Sequence, residues 1–313
     1  MIGAIKNELI KLITQKKVIS IVIITIILLG IGLIVQVTDK DSSQSVWQEE
    51  LTEELVVLED DTISNKTDVH TDRIKEIKFR LKHNISPNGD STGPGTVVSE
   101  FSNSPFITIL IPLFVILLFG NMIIGEINDG SLKISLVSPV GRSKILLSKI
   151  VANFLCVSLT ALLYFIGVYI ISSFKYGFSG WSNNVMFILN NEPVLVKMWV
   201  AAIVGFITIS ITIIAYIGIA ALLSVFFNDA VALTVVMSGV LIYGFITPMI
   251  LGNAKWLSYL YITNMNMYSL VSGQSITINY GHSPLESSLL LLISTAFLYV
   301  LAFRIFKKKE LSL

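Results

Sequence analysis

The residues with chemistry to offer gather in one polar stretch, "GEINDGSLKISLVSPVGRSKILLSKI", from Gly125 to Ile150. Glu126, Asp129, Lys133, Arg142, Lys144 and Lys149 stand there between two long apolar runs. Carboxylates and cations spaced this way suit charge-assisted contacts with a partner. They do not form a nucleophile–base or metal-ligand set. Elsewhere the reactive residue types are sparse. His70, His83 and His282 are scattered and no H-E-x-x-H occurs, so a zinc hydrolase is excluded. The glutamate pairs of "EELTEEL", Glu49 to Leu55, have no histidine in an apolar run to match them. "GDSTGPG" reads as a turn, and G-x-x-x-x-G-K-[ST] occurs nowhere, so this chain carries no P-loop for ATP. Cys156 is the single cysteine and lies in an apolar run, which rules out an intramolecular disulfide and reads as a small buried residue.

The elements that position this stretch belong to a membrane. Of 313 residues 53% are hydrophobic and only 14% charged, with a mean hydropathy of +0.77. Soluble domains carry about a quarter charged residues. Six segments have the roughly twenty apolar residues that a crossing helix needs. They are 18–37, 105–125, 145–173, 198–227, 230–251 and 287–306, with ionisable residues only near ends, at Lys149 and Arg304. Lipid leaves helices as the only way to satisfy their backbone. The fold class is therefore an all-α integral membrane protein. The first run is long for a signal core and no A-x-A follows, so it reads as an uncleaved span. The net charge of +1 conceals segregation. With the N-terminus inside, the inner segments hold Lys6, Lys11, Lys16, Lys17, Lys133, Arg142, Lys144, Lys149, Arg304, Lys307, Lys308 and Lys309. The short outer loops hold only Lys175, Lys197 and Lys255, so both termini are expected in the cytoplasm.

Residues 1–17 show Ile2, Ile5, Leu9, Leu12 and Ile13 at helical spacing, with Lys6, Asn7, Lys11 and Gln15 off the stripe. The pattern suits an interfacial helix with lysines toward anionic headgroups, or a plain extension of the first span. Residues 38–104 form the one large polar insert, with fourteen acidic residues against seven basic. Ser45 and Gln48 make a capping box before the stripe Trp47, Leu51, Leu55, Leu58, and Ile74, Ile77 and Leu81 repeat the pattern. Two short helices outside the membrane follow, possible partners in a hairpin. Their acidity is either a solvated face or an attraction for a cationic ligand. The 174–197 segment is read as an external loop, and 228–229 as a cytoplasmic turn. In 252–286, "KWLSYLYITNMNMYSLVSG" suits the outer headgroup zone, as anchoring aromatics or as a re-entrant piece. The tail, 307–313, is cytoplasmic.

Within 126–144 the turn at Gly130 precedes "SLKISLVSP", where Leu132, Leu136 and Val137 alternate with polar residues as in a short amphipathic helix. Pro139 stops it, and Arg142, Lys144 and Lys149 mark membrane re-entry. These residues resemble the permease subunits of type-2 ABC exporters. The family pattern runs E-x-x-x-G-[TS]-L, then L-x-[ST]-P-[VI]-x-R, then a lysine near the next span. Glu126, Gly130, Ser131, Leu132, Leu136, Ser138, Pro139, Val140, Arg142 and Lys149 fit it, with Ser131 where threonine is commoner. The likeness extends over the layout of spans, the N-terminal helix and the segment before the last span. It leaves out 38–104, although the sodium-efflux and peptide-antibiotic branch carries an external insert there.

The resemblance implies a six-span permease fold whose 126–144 loop is a coupling helix docked on a separate ABC ATPase. Leu132 and Leu136 would enter a groove of that partner, with Glu126, Gly130, Pro139 and Arg142 shaping the contact. It also implies two ATPase copies and a second permease chain, with ATP and magnesium bound by the ATPase and no cofactor on this chain. No nucleic acid is involved. The expected function is export of an amphiphile, such as an antimicrobial peptide, drug or lipid-like compound, across a bacterial plasma membrane. Sodium export is the alternative within the family. A membrane-anchored sensor binding an external ligand through 38–104 is the alternative outside it.

Overall fold

The computed structural model describes residues 2–14, 16–38, 46–64, 68–85, 109–126, 130, 141–176, 178, 181–182, 184–189, 192–227, 229–251, 256, 259–265, 267, 271 and 283–308. In chain order the helices are α1 (Ile2–Thr14), α2 (Lys17–Thr38), α3 (Val46–Ser64), α4 (Asp68–His83) and α5 (Ile111–Gly120). A π-helical turn, Asn121–Gly125, follows α5 directly. Then come α6 (Arg142–Tyr176), strands β1 (Asn184–Leu189) and β2 (Glu192–Lys197), α7 (Met198–Phe226), α8 (Ala230–Leu251) and α9 (Pro284–Lys308).

Three stretches among the described residues are long and apolar enough to cross a bilayer: Arg142–Ile171, Met198–Phe226 and Pro284–Lys308. Those are three of the six expected spans. A fourth arises if Ile2–Thr14 and Val18–Ile31, which meet at 62°, count as one broken span. Ile111–Gly125 and Ala230–Gly244 are shorter apolar helices. The bend between α1 and α2 falls at Lys16, whose φ of 60° is a left-handed backbone conformation that ends one helix before the next begins.

Helix α7 is the centre of the bundle, packed against α5, α6, α8 and α9. Small residues let it lie close to its neighbours. A Cβ on Gly218 would lie 3.2 Å from Thr295 Cγ2 of α9. Gly218→Leu is therefore expected to force the two helices apart at a cost of about 1–3 kcal/mol, read as a lower melting temperature of the detergent-solubilised protein.

Local signals set the helix starts. Asp229 caps α8, its two carboxylate oxygens accepting from the amides of Val231 and Ala232 at 3.2 Å each. Ser283 and Glu286 form a capping box around Pro284 at the start of α9. Tyr261 to Met265 lie beside the middle of α7. The Tyr261 hydroxyl donates to the Ala215 carbonyl at 2.9 Å and pairs with Thr295 Oγ1, while Thr212 donates to the Met265 carbonyl at 2.7 Å. Thr212 is about 20 Å along the helix axis from Met198.

Helices α3 and α4 pack antiparallel, with Gln48 bonded to Asn84 at their far ends. Leu51 and Ile77 are buried between them, and Arg73 bridges Glu54 and Glu76. Beyond α4 stands an element that the sequence reading had as a loop. Strands β1 and β2 pair antiparallel from Asn184↔Lys197 to Leu189↔Glu192. Pro193 is tolerated because a two-stranded ladder has only edges. The ribbon lies on α7 and α9, and Lys75 of α4 reaches Glu192 of β2 at 3.5 Å.

Candidate coupling site

The molecule has two differently built ends. One carries the α3–α4 hairpin and the β-ribbon. The other collects α1, the exit of α5 at Glu126, the start of α6 and the end of α9, where Arg142 Nη1 donates to the Lys307 carbonyl at 3.3 Å. This second end holds four charged side chains in a closed ring. Lys149 Nζ lies 3.0 Å from Glu8 Oε2 and 2.8 Å from Glu126 Oε2. Lys11 Nζ lies 2.8 Å from Glu126 Oε1 and 3.5 Å from Glu8 Oε1. Side-chain exposure is 0% for Lys149, 8% for Glu8, 10% for Glu126 and 33% for Lys11. Two carboxylates and two ammonium groups make the ring neutral, the condition under which buried charge is tolerated.

Three elements deliver the four members. Glu126 follows the π-helical turn at the end of α5. Lys149 stands about two turns inside α6, and one turn further along Asn153 donates to the Val115 carbonyl of α5 at 3.3 Å. Glu8 and Lys11 come from α1, where Leu12 is buried beside them and Leu9 packs against the core. Ile2, Ile10 and Ile13 face outward.

The expectation that Lys11 points to lipid headgroups is corrected here. The buried carboxylates of Glu8 and Glu126 offer a closer counter-charge, whereas Lys6 is exposed.

Burial pushes the Glu126 carboxyl up, but Lys149 and then Lys11 outweigh it and hold the group below its ordinary value. Burial likewise lowers Lys11, and its bonds with Glu126 and Glu8 more than reverse this, so its pKa is raised. The signs define a window. A depressed carboxyl adds stability above its unfolded value, about 4.3, and loses it as pH falls through the depressed one. A raised lysine adds stability below about 10.4 and loses it as pH rises through the raised value. Attachment of α1 is thus expected to be fully present at neutral pH and to weaken in acid. Thermal denaturation across pH should show this acid loss, and Glu126→Gln should reduce it.

Of the residues singled out in the sequence, the structure brings Glu126 and Lys149 together. Arg142 is exposed at the first turn of α6. Gly130 has φ of 69°, in the left-handed region that favours glycine. Leu132, Leu136 and Pro139 lie outside the described residues. Sequence reading missed Glu8 and Lys11 as site members. A signal was present: Glu8 falls between Ile5 and Leu12 at helical spacing, a charge on the apolar face of its helix, which calls for a partner.

A helical bundle with several apolar crossings and polar ends defines a multi-pass membrane protein. The model of a family described as "ABC-2 family transporter protein" matches residues 4–311. The chain belongs to that family and is a membrane permease of the ABC transporter class. It is 24% identical over 318 residues to YhcI of Bacillus subtilis (strain 168), described as an uncharacterized protein, with 100% of both chains covered. It is 26% identical over 218 residues to YdbK of the same organism, described as an uncharacterized membrane protein. That match covers 68% of this chain and 82% of the relative. Family membership implies association with an ABC ATPase subunit.

Proposed function

We propose that this chain is the membrane half of an ATP-driven exporter, driven through its 126–144 loop by an ATPase carried on another chain. The observation that carries the reading is the gathering of both ends of that loop, Glu126 and Arg142, with α1 and Lys307 at one end of the bundle. Lys6, Lys11, Lys144, Arg304 and Lys308 belong to the same end by their positions on α1, α6 and α9, as does Lys16 at the bend that follows α1. Basic clustering of this kind marks the cytoplasmic side. The helical hairpin and β-ribbon are then external.

The reading has six crossings, with α2, α5 and α8 completing the set. Tyr261 to Met265 become a re-entrant piece, because they touch α7 and α9 near mid-length. The exposed Ile2, Ile10 and Ile13 of α1, with Lys6 alongside, meet the inner leaflet. The cargo is read as an amphiphile from the resemblance of the loop to the exporter family, with sodium export the alternative. The absence of an ionisable residue near the centre of any span argues against ion-coupled energisation. Two permease chains and two ATPase copies complete the transporter, in a bacterial plasma membrane. ATP and magnesium are bound by the ATPases.

The test is purification of the tagged chain from its native membrane in mild detergent. A P-loop ATPase in one-to-one ratio is expected. A permease that emerges alone, with full ATPase expression in the same cells, overturns the reading.

A further inference from the structure

We infer that Glu8 and Lys11 are positioning residues of the coupling apparatus, fixing the N-terminal helix to both ends of the 126–144 loop so that the three move as one body. The inference rests on the reading of that loop as the ATPase-docking segment. Lys11 holds Glu126, the first residue of the loop, at 2.8 Å. Glu8 holds Lys149, about one and a half turns past the loop's other end, at 3.0 Å. Helix α1 therefore grips the entry and the exit together.

Three further observations support a mechanical role over simple packing. First, α1 does not continue α2. The chain turns at Lys16 with φ of 60°, and the two axes meet at 62°, so α1 has a natural pivot. Something other than helix continuity must set its angle. Second, the ring is neutral and three of its four side chains are at most 10% exposed, so loss of α1's partners leaves the enclosed charges less well compensated. Linked contacts of this kind strengthen one another. Third, the opposite face of α1 exposes Ile2, Ile10 and Ile13. Displacement of the loop by the ATPase would then be delivered to the inner surface of the membrane through a lever of about 20 Å.

The test uses the assembled transporter in nanodiscs, in a Cys156→Ser background. Spin labels replace Lys6 and Lys144, both exposed and outside the ring. In the parent, the distance between the labels is expected to be narrow and the same with and without ATP–vanadate. The variant Glu8→Gln/Lys11→Gln removes both charges of α1 and leaves the Lys149–Glu126 pair balanced at 2.8 Å. It should broaden the distance and make it sensitive to nucleotide, while Lys11→Arg keeps the parent behaviour. A narrow, nucleotide-insensitive distance in the double variant would overturn the inference, because packing of Leu9 and Leu12 would then suffice. So would a parent distance that shifts on trapping, and this arm stands whether or not the double variant accumulates. A parent that purifies with no ATPase marks failure of the loop reading itself, and the coupling role falls with it.

Discussion

Lys149→Met is expected to cost about 3–5 kcal/mol of stability, the penalty for breaking a buried ion group by removing one partner. Lys149 is fully enclosed and touches both carboxylates of the ring. Its loss leaves Glu8 and Glu126 buried with a single ammonium group, Lys11, between them. Both acids must then be desolvated without balance, or one must take up a proton. Heat treatment of the detergent-solubilised protein, followed by size-exclusion chromatography, should show a large drop in the surviving fraction. Adding Glu8→Gln to Lys149→Met restores charge balance, since Lys11 can serve Glu126 alone, and should recover much of the loss. A double variant as unstable as the sum of its parts would show that the charges are not coupled.

Leu132→Asp/Leu136→Asp is expected to leave the fold intact and to weaken ATPase binding about a hundredfold or more. Burial of each leucine in a partner groove contributes about 1.5–3 kcal/mol, and every 1.4 kcal/mol is tenfold in affinity. The sequence spacing puts Leu132 and Leu136 on one face of the expected amphipathic helix, ahead of Pro139. The charges divide differently from what the spacing suggests. Glu126 is spent on Lys149 and Lys11, so Glu126→Ala mixes a stability defect with any coupling defect. Arg142 is exposed beside the Lys307 carbonyl, and Arg142→Ala is the cleaner test of a polar contact with the partner. Titration of the purified ATPase onto immobilised permease separates these variants.

The apolar segments were legible because a crossing helix needs only composition and length, and α6, α7 and α9 carry both without interruption. Capping at Asp229 and at the Ser283–Glu286 pair went unread although it acts within three residues of its targets, and the capping box read at Ser45 lies outside the described residues. The ring was not legible. Its members lie 115 and 141 residues apart in sequence, and a lysine near a helix end reads as a membrane-boundary marker whether it snorkels outward or turns inward. Glu8 was the exception that could have been found, since a carboxylate on an apolar stripe is costly without a partner. The β-ribbon was hidden because "NVMFIL" is a continuous apolar run with no clean alternation, in a chain full of such runs. Tyr261 and Tyr299 read as headgroup aromatics or ordinary span residues. Their hydroxyl partners are backbone carbonyls of α7, 46 and 85 residues away, and backbone acceptors leave no trace in a residue pattern.

The central claim is that 126–144 meets an ATPase on the side of the membrane opposite the helical hairpin. Photo-crosslinking in intact cells addresses it directly, with a photoreactive residue at Ile134 in the loop or at Val56 on the exposed face of α3. Capture of a P-loop ATPase from position 134 and none from position 56 is the predicted result. Capture from position 56, or no ATPase from position 134 in cells that express it, would contradict the account.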